Sequence, residues 1–176
     1  MYKRQIEDNT ALRSLKIFIW GDNNIVHIGK DCSITLTGIH MEQSDNCCII
    51  SDKTTTHGRD NKIVQFELDE ATTIFIDKDC MISNDVVFRS SDSHSVLNEN
   101  GQRTNFAKNI KIGKHCWIGM RSMIMKGVSL SDNCIVGAGS ILTKSFSESN
   151  VVIAGLPAKI VKQKVNWDRK FINMER

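Results

Sequence analysis

Aliphatic residues stand at Ile112, Ile118, Ile124, Leu130, Val136 and Leu142, a period of six kept without a slip. Four residues after each of the first five comes a small or slim side chain: Cys116, Ser122, Val128, Cys134 and Ser140. The same phase appears earlier at Ile76, Ile82 and Phe88 with Cys80 in the slim position, and at Ile28 and Ile34 with Cys32. A helix repeats its apolar face every ~3.6 residues and a half-buried strand about every two, so a period of six fits neither simple element. It fits a solenoid in which each short strand turns a central aliphatic residue inward and a turn follows where a slim residue is tolerated. Stacked coils then satisfy one another's backbone groups at about 4.8 Å. Three hexapeptides close a triangular coil of about eighteen residues.

The departures from this pattern carry information too. From Gln43 to Ile49 the chain reads as a degenerate copy with Cys47 in the slim slot, and from Asn61 to Thr73 the phase is poorly marked. Lys16 to Trp20, "KIFIW", predicts an entering strand that caps the stack, and Asn166 to Arg176, "NWDRKFINMER", predicts a short C-terminal helix. Pro157, the one proline, falls where the solenoid stops. Both ends need capping because an open coil presents unpaired strand edges. The clearest break is "RSSDSHSVLNENGQR", Arg89 to Arg103. His94 and Asn100 fall on inward positions that neither side chain suits, so the chain is expected to leave the coil near Ser91 and rejoin it near Ile110. The loop then spans about 91–109 of a single 1–176 domain.

Composition narrows the class. With 176 residues, 40% hydrophobic and 24% charged, the chain has room for one core. A formal charge of +3 is too small to argue for nucleic acid but allows a local basic patch for an anionic cofactor. The opening "MYKRQIEDNTALRS" has no apolar signal segment, and no run reaches the roughly 18 apolar residues of a membrane span, so a cytoplasmic protein is expected. Six cysteines form no CxxC pair and read as reduced core thiols. His27, His40 and His57 lack metal-site spacing, so no metal is expected, and His115, in a coil turn before Trp117, reads as exposed.

"IGKHCWIGMRSMIMKGVSLSDNCIVGAGSILTK" followed by "VVIAGLPAKIVK" resembles the hexapeptide-repeat acyltransferases. "SSDSHS" upstream of "CWIG" looks most like the sugar and capsular-polysaccharide O-acetyltransferases, and is similar to the galactoside and maltose acetyltransferases. The likeness is dense from about Ile74 to Lys164. It implies an all-β, left-handed parallel β-helix and an acetyl-CoA-dependent transferase, usually a homotrimer with active sites between subunits. Nothing in the spacing alone reveals the hand, since the general rule for parallel crossovers is right-handed.

The chemistry can then be assigned by residue. O-acetylation needs a base near neutral pH to take the proton of a sugar hydroxyl as its oxygen attacks the thioester carbonyl; imidazole suits this, and the resemblance gives the role to His94. The oxyanion needs hydrogen-bond donors that the sequence does not identify. Asp92, two residues earlier, either orients the imidazole or is a solvated loop carboxylate. Asn84 resembles an acceptor-site position and also suits a turn, while Arg89 and Arg103 either bind hydroxyls or an acidic sugar or are simply solvated. Trp117 alternates outward from inward Ile118 and, by resemblance, lines the cleft near the acetyl group and acceptor. Ala138 and Gly139 would let pantetheine approach the backbone. Met120, Thr143 and Lys144 match cofactor-side positions, Met120 being bulkier than in many relatives, and Lys159 and Lys162 resemble the residues that meet the phosphates of CoA. The expected reaction is direct transfer of acetyl to a saccharide hydroxyl of a capsule, O-antigen or related glycan. N-acetylation of an amino sugar or sugar nucleotide is the alternative on the same scaffold, and a non-catalytic binding solenoid is the alternative of another class.

Overall fold

The computed structural model describes residues 2–172. Among them the chain forms eighteen strands and no helix, and it winds as a left-handed parallel β-helix of triangular section. The first face stacks Lys3–Ile6, Ile25–Ile28, Cys47–Ile50, Thr73–Ile76, Ile110–Ile112 and Ser129–Leu130 in parallel. Ala11–Ile19 and Ser33–Met41 each run around the corner from the second face to the third. The second face continues with Thr55–His57, Met81–Ile82, Trp117–Ile118, Cys134–Val136 and Val151–Gly155. The third continues with Val64–Leu68, Val87–Arg89, Met123–Met125 and Ile141–Leu142.

Register converts the sequence period into a core. Ile28, Ile50, Ile76, Ile112 and Leu130 lie one above another on the first face, and Phe66, Phe88, Ile124 and Leu142 on the third. All are buried, so each coil stacks its large inward side chain on the coil before. Phe66 and Phe88 stack with ring centres 4.8 Å apart and planes 4° from parallel. In the slim corner slot between the first and second faces, the Cys32, Cys80, Cys116 and Cys134 thiols each donate to a carbonyl of the following coil, at 3.2–3.4 Å. All six cysteines are free thiols, and burial pushes Cys32 and Cys48 up from the usual thiol range.

Three expectations need correction. Cys47 does not occupy a slim slot: Cys48 points inward on the first face, and Thr54 fills the slot of that coil, donating to the Asp77 carbonyl. The reason is coil length. The first coils repeat every 22 residues, as in the Lys3–Ile25 and Ile25–Cys47 pairings, the next every 26, as in Cys47–Thr73, and the late ones every 18, so a strict six-residue phase drifts. The C-terminal helix is absent over 166–172, and the remainder of the predicted segment lies outside the described residues. An extended course turns Trp167 and Arg169 to the same side, over the coils, whereas a helix would turn two residues that far apart to opposite sides. Third, His115 is half-buried rather than exposed. Its Nδ1 lies 2.6 Å from an Asp79 carboxylate oxygen, its Nε2 3.1 Å from the Trp167 carbonyl, and its ring stacks on Trp167 at 4.3 Å.

The entering strand is longer than "KIFIW", running Ala11–Ile19 beside Ser33–Met41. At the other end Val151–Gly155 turns through Leu156 and Pro157 into antiparallel Ala158–Gln163, which covers the last coil's second-face edge. Among the described residues no helix is long and apolar enough to cross a membrane.

Candidate active site

The chain leaves the stack after Val87–Arg89 and re-enters it at Ile110–Ile112. Ser90 and Ser91 are still buried: the Ser90 and Thr72 hydroxyls are 2.6 Å apart, and Ser91 donates to Glu70 at 2.9 Å. Ser93 then takes a positive φ of 62°, and His94 emerges exposed at the start of the excursion. A departure from buried serines gives the imidazole a fixed base despite its exposure.

Asn105 ties the loop together. Its side-chain N–H groups donate to the His94 carbonyl and to Asp92 Oδ2, both at 2.8 Å, while its Oδ1 accepts from the Val96 amide at 2.7 Å. Lys126, from the next coil, donates to Asp92 Oδ2 at 2.5 Å and to the Asn105 carbonyl at 2.9 Å. The hydrogen bond from Lys126, then that from Asn105, holds the Asp92 carboxyl below its usual range. Asp92 thus contacts the Lys126 and Asn105 side chains, and it is those two that hold the loop backbone. Arg89 donates to the Glu67 carboxylate at 2.6 Å, to the Ser91 carbonyl and to Ser93 Oγ, and Arg103 pairs with Glu70. Both arginines are therefore engaged within the chain. Nothing in the sequence period marks Asn105, whose partners lie across the loop, or Lys126 and Glu70, whose partners lie 34 and 33 residues away.

A second group of the expected residues lies elsewhere. Trp117 projects from the second face between Met81 and Ile135 in neighbouring coils and is 37% exposed. At the corner from the second to the third face stand Asn84, Met120, Ala138 and Gly139 in successive coils. The Asn84 carbonyl accepts from the Arg121 amide, and the Met120 carbonyl from the Gly139 amide at 2.8 Å. Gly139, at φ 70°, faces open space: a Cβ built there would meet nothing within 4 Å. Thr143 and Lys144 follow the last third-face strand, both exposed, with Lys144 Nζ 5.8 Å from the Phe146 ring centre. Lys159 and Lys162 are exposed on the closing strand, paired with Ala154 and Val152. Within one chain, Asp92 and His94 therefore stand beyond the end of the third face, whereas Trp117 stands on the second.

The comparisons agree with this architecture. Residues 109–144 match the family model "Hexapeptide repeat of succinyl-transferase". The chain is 38% identical, over 97% of its length and 91% of the relative's, to a polysialic acid O-acetyltransferase of Neisseria meningitidis. Among solved structures it resembles the polysialic acid O-acetyltransferase OatWY, with TM-score 0.72, 31% identity and coverage of 99% of this chain and 94% of that one. It also resembles the polySia-specific acetyltransferase NeuO, with TM-score 0.68, 29% identity and coverage of 96% and 84%. On its repeat, its coil-by-coil register and these matches, the chain belongs to the hexapeptide-repeat acyltransferases, and among them it is similar to the capsular polysaccharide O-acetyltransferases.

Proposed function

We propose that the protein transfers acetyl from acetyl-CoA to a hydroxyl of a saccharide, with His94 as the base that accepts the hydroxyl proton. The observation that carries this reading is the setting of His94: its backbone carbonyl is held by Asn105 while the residue stays exposed to an incoming acceptor. A base is useful only when its position is fixed relative to the attacking oxygen, and here the fixing is done by the backbone so that the ring stays available. The relatives that act on polysialic acid make an O-linked product and a glycan acceptor the favoured class.

The residues present suit the donor. The open space at Gly139 leaves the backbone of 138–139 accessible to an extended pantetheine chain, flanked by exposed Met120 and Thr143. Lys159, Lys162 and Lys144 offer exposed ammonium groups suited to phosphates, for which a flexible cation is adequate. When bound, acetyl-CoA supplies an activated acyl carbonyl and a thiol leaving group. Trp117 would wall the acceptor and acyl end of the cleft, with Asn84 placed at its corner. Because His94 and Trp117 stand on different flanks of one chain, a cleft containing both draws them from neighbouring subunits, as in a homotrimer. Use of acetyl-CoA places the reaction in the cytoplasm.

The direct test incubates the protein with acetyl-CoA and a panel of saccharides that includes oligosialic acid, follows free thiol, and locates the acetyl group by NMR. Acceptor-dependent thiol release with acetyl on oxygen is expected, and His94→Ala should lower turnover by about a hundredfold or more with the fold intact. Acetyl found on nitrogen, no thiol release with any acceptor, or near-normal turnover by His94→Ala would overturn the reading.

A further inference from the structure

A groove of about 320 Å³ opens on the third face beside the first three coils. Phe18, Trp20, His40, Ile63, Gln65 and Glu67 line it. Trp20 and Phe18 are 58% and 51% exposed, a large apolar area to leave in water, and the His40 ring meets each edge-on, at 5.0 and 6.2 Å between centres. Gly38 forms part of the floor, so no side chain rises from that position to cover the aromatic wall.

Strand register links this groove to the loop. Phe18 pairs with His40, His40 with Glu67, and Glu67 with Arg89, giving one outward row across four coils. At about 4.8 Å per coil the row is roughly 14 Å long, enough for more than one sugar ring. A narrower groove lined by His40, Glu42, Glu67, Asp69, Arg89 and Ser93 shares His40 and Glu67 with the first. The row ends at Arg89, which donates to Ser93 Oγ at 2.9 Å, and the next residue is His94.

The chemistry along this row selects its ligand. A flat aromatic wall with amide and carboxylate groups beside it suits a pyranose, whose C–H face packs on the ring while its hydroxyls reach the polar edge. The charge excludes an acidic unit: Glu42, Glu67 and Asp69 border the track, and the single arginine is already paired with Glu67 at 2.6 Å. We propose that the groove is a second saccharide subsite, which holds an uncharged pyranose of the acceptor chain while another unit of that chain is acetylated beside His94. The inference builds on the acetyl-transfer reading, but the binding it requires needs no acetyl-CoA.

Saturation-transfer NMR tests it, with maltohexaose as the uncharged probe and hexameric oligosialic acid as the acidic one. Wild-type protein and His94→Ala should saturate maltohexaose ring protons, with a signal weakened about fivefold or more in both Trp20→Ala and Phe18→Ala. Both substitutions remove exposed side chains, and a circular-dichroism spectrum like that of wild type verifies the fold. No maltohexaose signal in the wild type, a signal unchanged in both variants, or a stronger Trp20-dependent signal from oligosialic acid would overturn the proposal. So would a change of subunit number in Trp20→Ala by sedimentation, which would assign the groove to a second copy of this chain. Trp20-dependent binding without thiol release from any acceptor would uphold the subsite and sink the acetyl-transfer reading, so the two fail separately.

Discussion

Lys126 Nζ lies 2.5 Å from Asp92 Oδ2, joining the coil after the loop to the residue two before His94. The same ammonium reaches the Asn105 carbonyl, so one side chain holds both the outgoing and the returning limb. Lys126→Met should cost only about 1 kcal/mol of stability, as expected for a half-exposed pair. It should lower kcat/KM by about tenfold, because a base displaced by a fraction of an ångström loses its alignment. Kinetics alongside thermal unfolding checks this: a loss of activity matched by an equal loss from unfolding would contradict a positioning role.

Acid should release the loop before it unfolds the stack. Arg103 holds Glu70 below its ordinary value of 4.5, and Lys126 holds Asp92 below 3.8. Both carboxylates bind fewer protons in the folded state than in the unfolded one. Their contribution is therefore complete above those ordinary values and is lost as pH falls through the lower folded ones. The core contacts are apolar and do not titrate. Amide exchange corrected for intrinsic rates should show Val96 and Thr104 losing protection as pH falls below those ordinary values while Ile112 and Ile118 keep theirs; simultaneous loss at both places would refute the order.

Phe88→Ala removes one member of the Phe66–Phe88 stack where nothing adjacent can collapse, since the strands on either side are fixed by their ladders. A loss of about 3–5 kcal/mol is expected. At this chain length that corresponds to a fall of roughly 10 °C in the unfolding midpoint. Phe88→Leu should recover most of it, and an equal loss in both variants would argue against a packing origin.

Trp167 is 7% exposed, donates to the His115 carbonyl at 2.8 Å, and lies with its ring centre 6.0 Å from that of Trp117. Trp167→Ala should free the segment 166–170, lower stability by about 3 kcal/mol and alter the surroundings of Trp117. Hydrogen exchange over that segment and the Trp117 indole N–H resonance give separate readings; a Trp117 resonance left in place would show that the two rings are independent.

The inward half of this architecture is legible in the residue pattern. Ile112 to Leu142 shows a six-residue repeat because every coil must place an aliphatic side chain on the one before it, and Cys116 and Cys134 share a buried corner slot filled by slim side chains. The same pattern exposed the loop, since His94 falls where a core residue should stand. Outward residues obey no such repeat. Arg169 reaches Asp79 across 90 positions and Lys126 reaches Asp92 across 34, and no local signal announces either partner.

For the same reason the C-terminal segment misleads when read alone: its apolar spacing suits a helix, but the stack offers His115 and the carbonyls of Lys53 and Cys80 to an extended chain. The stacked coils, their slim corners and the place where the chain departs from them follow from the residue pattern, because burial imposes the same demand at every turn. Which side chains brace His94, where residues 166–172 lie, and that Phe18, His40, Glu67 and Arg89 form one row emerge with the folded stack alone. The row depends on register between coils 22 to 27 residues apart, and register is set by the closed packing of the whole stack.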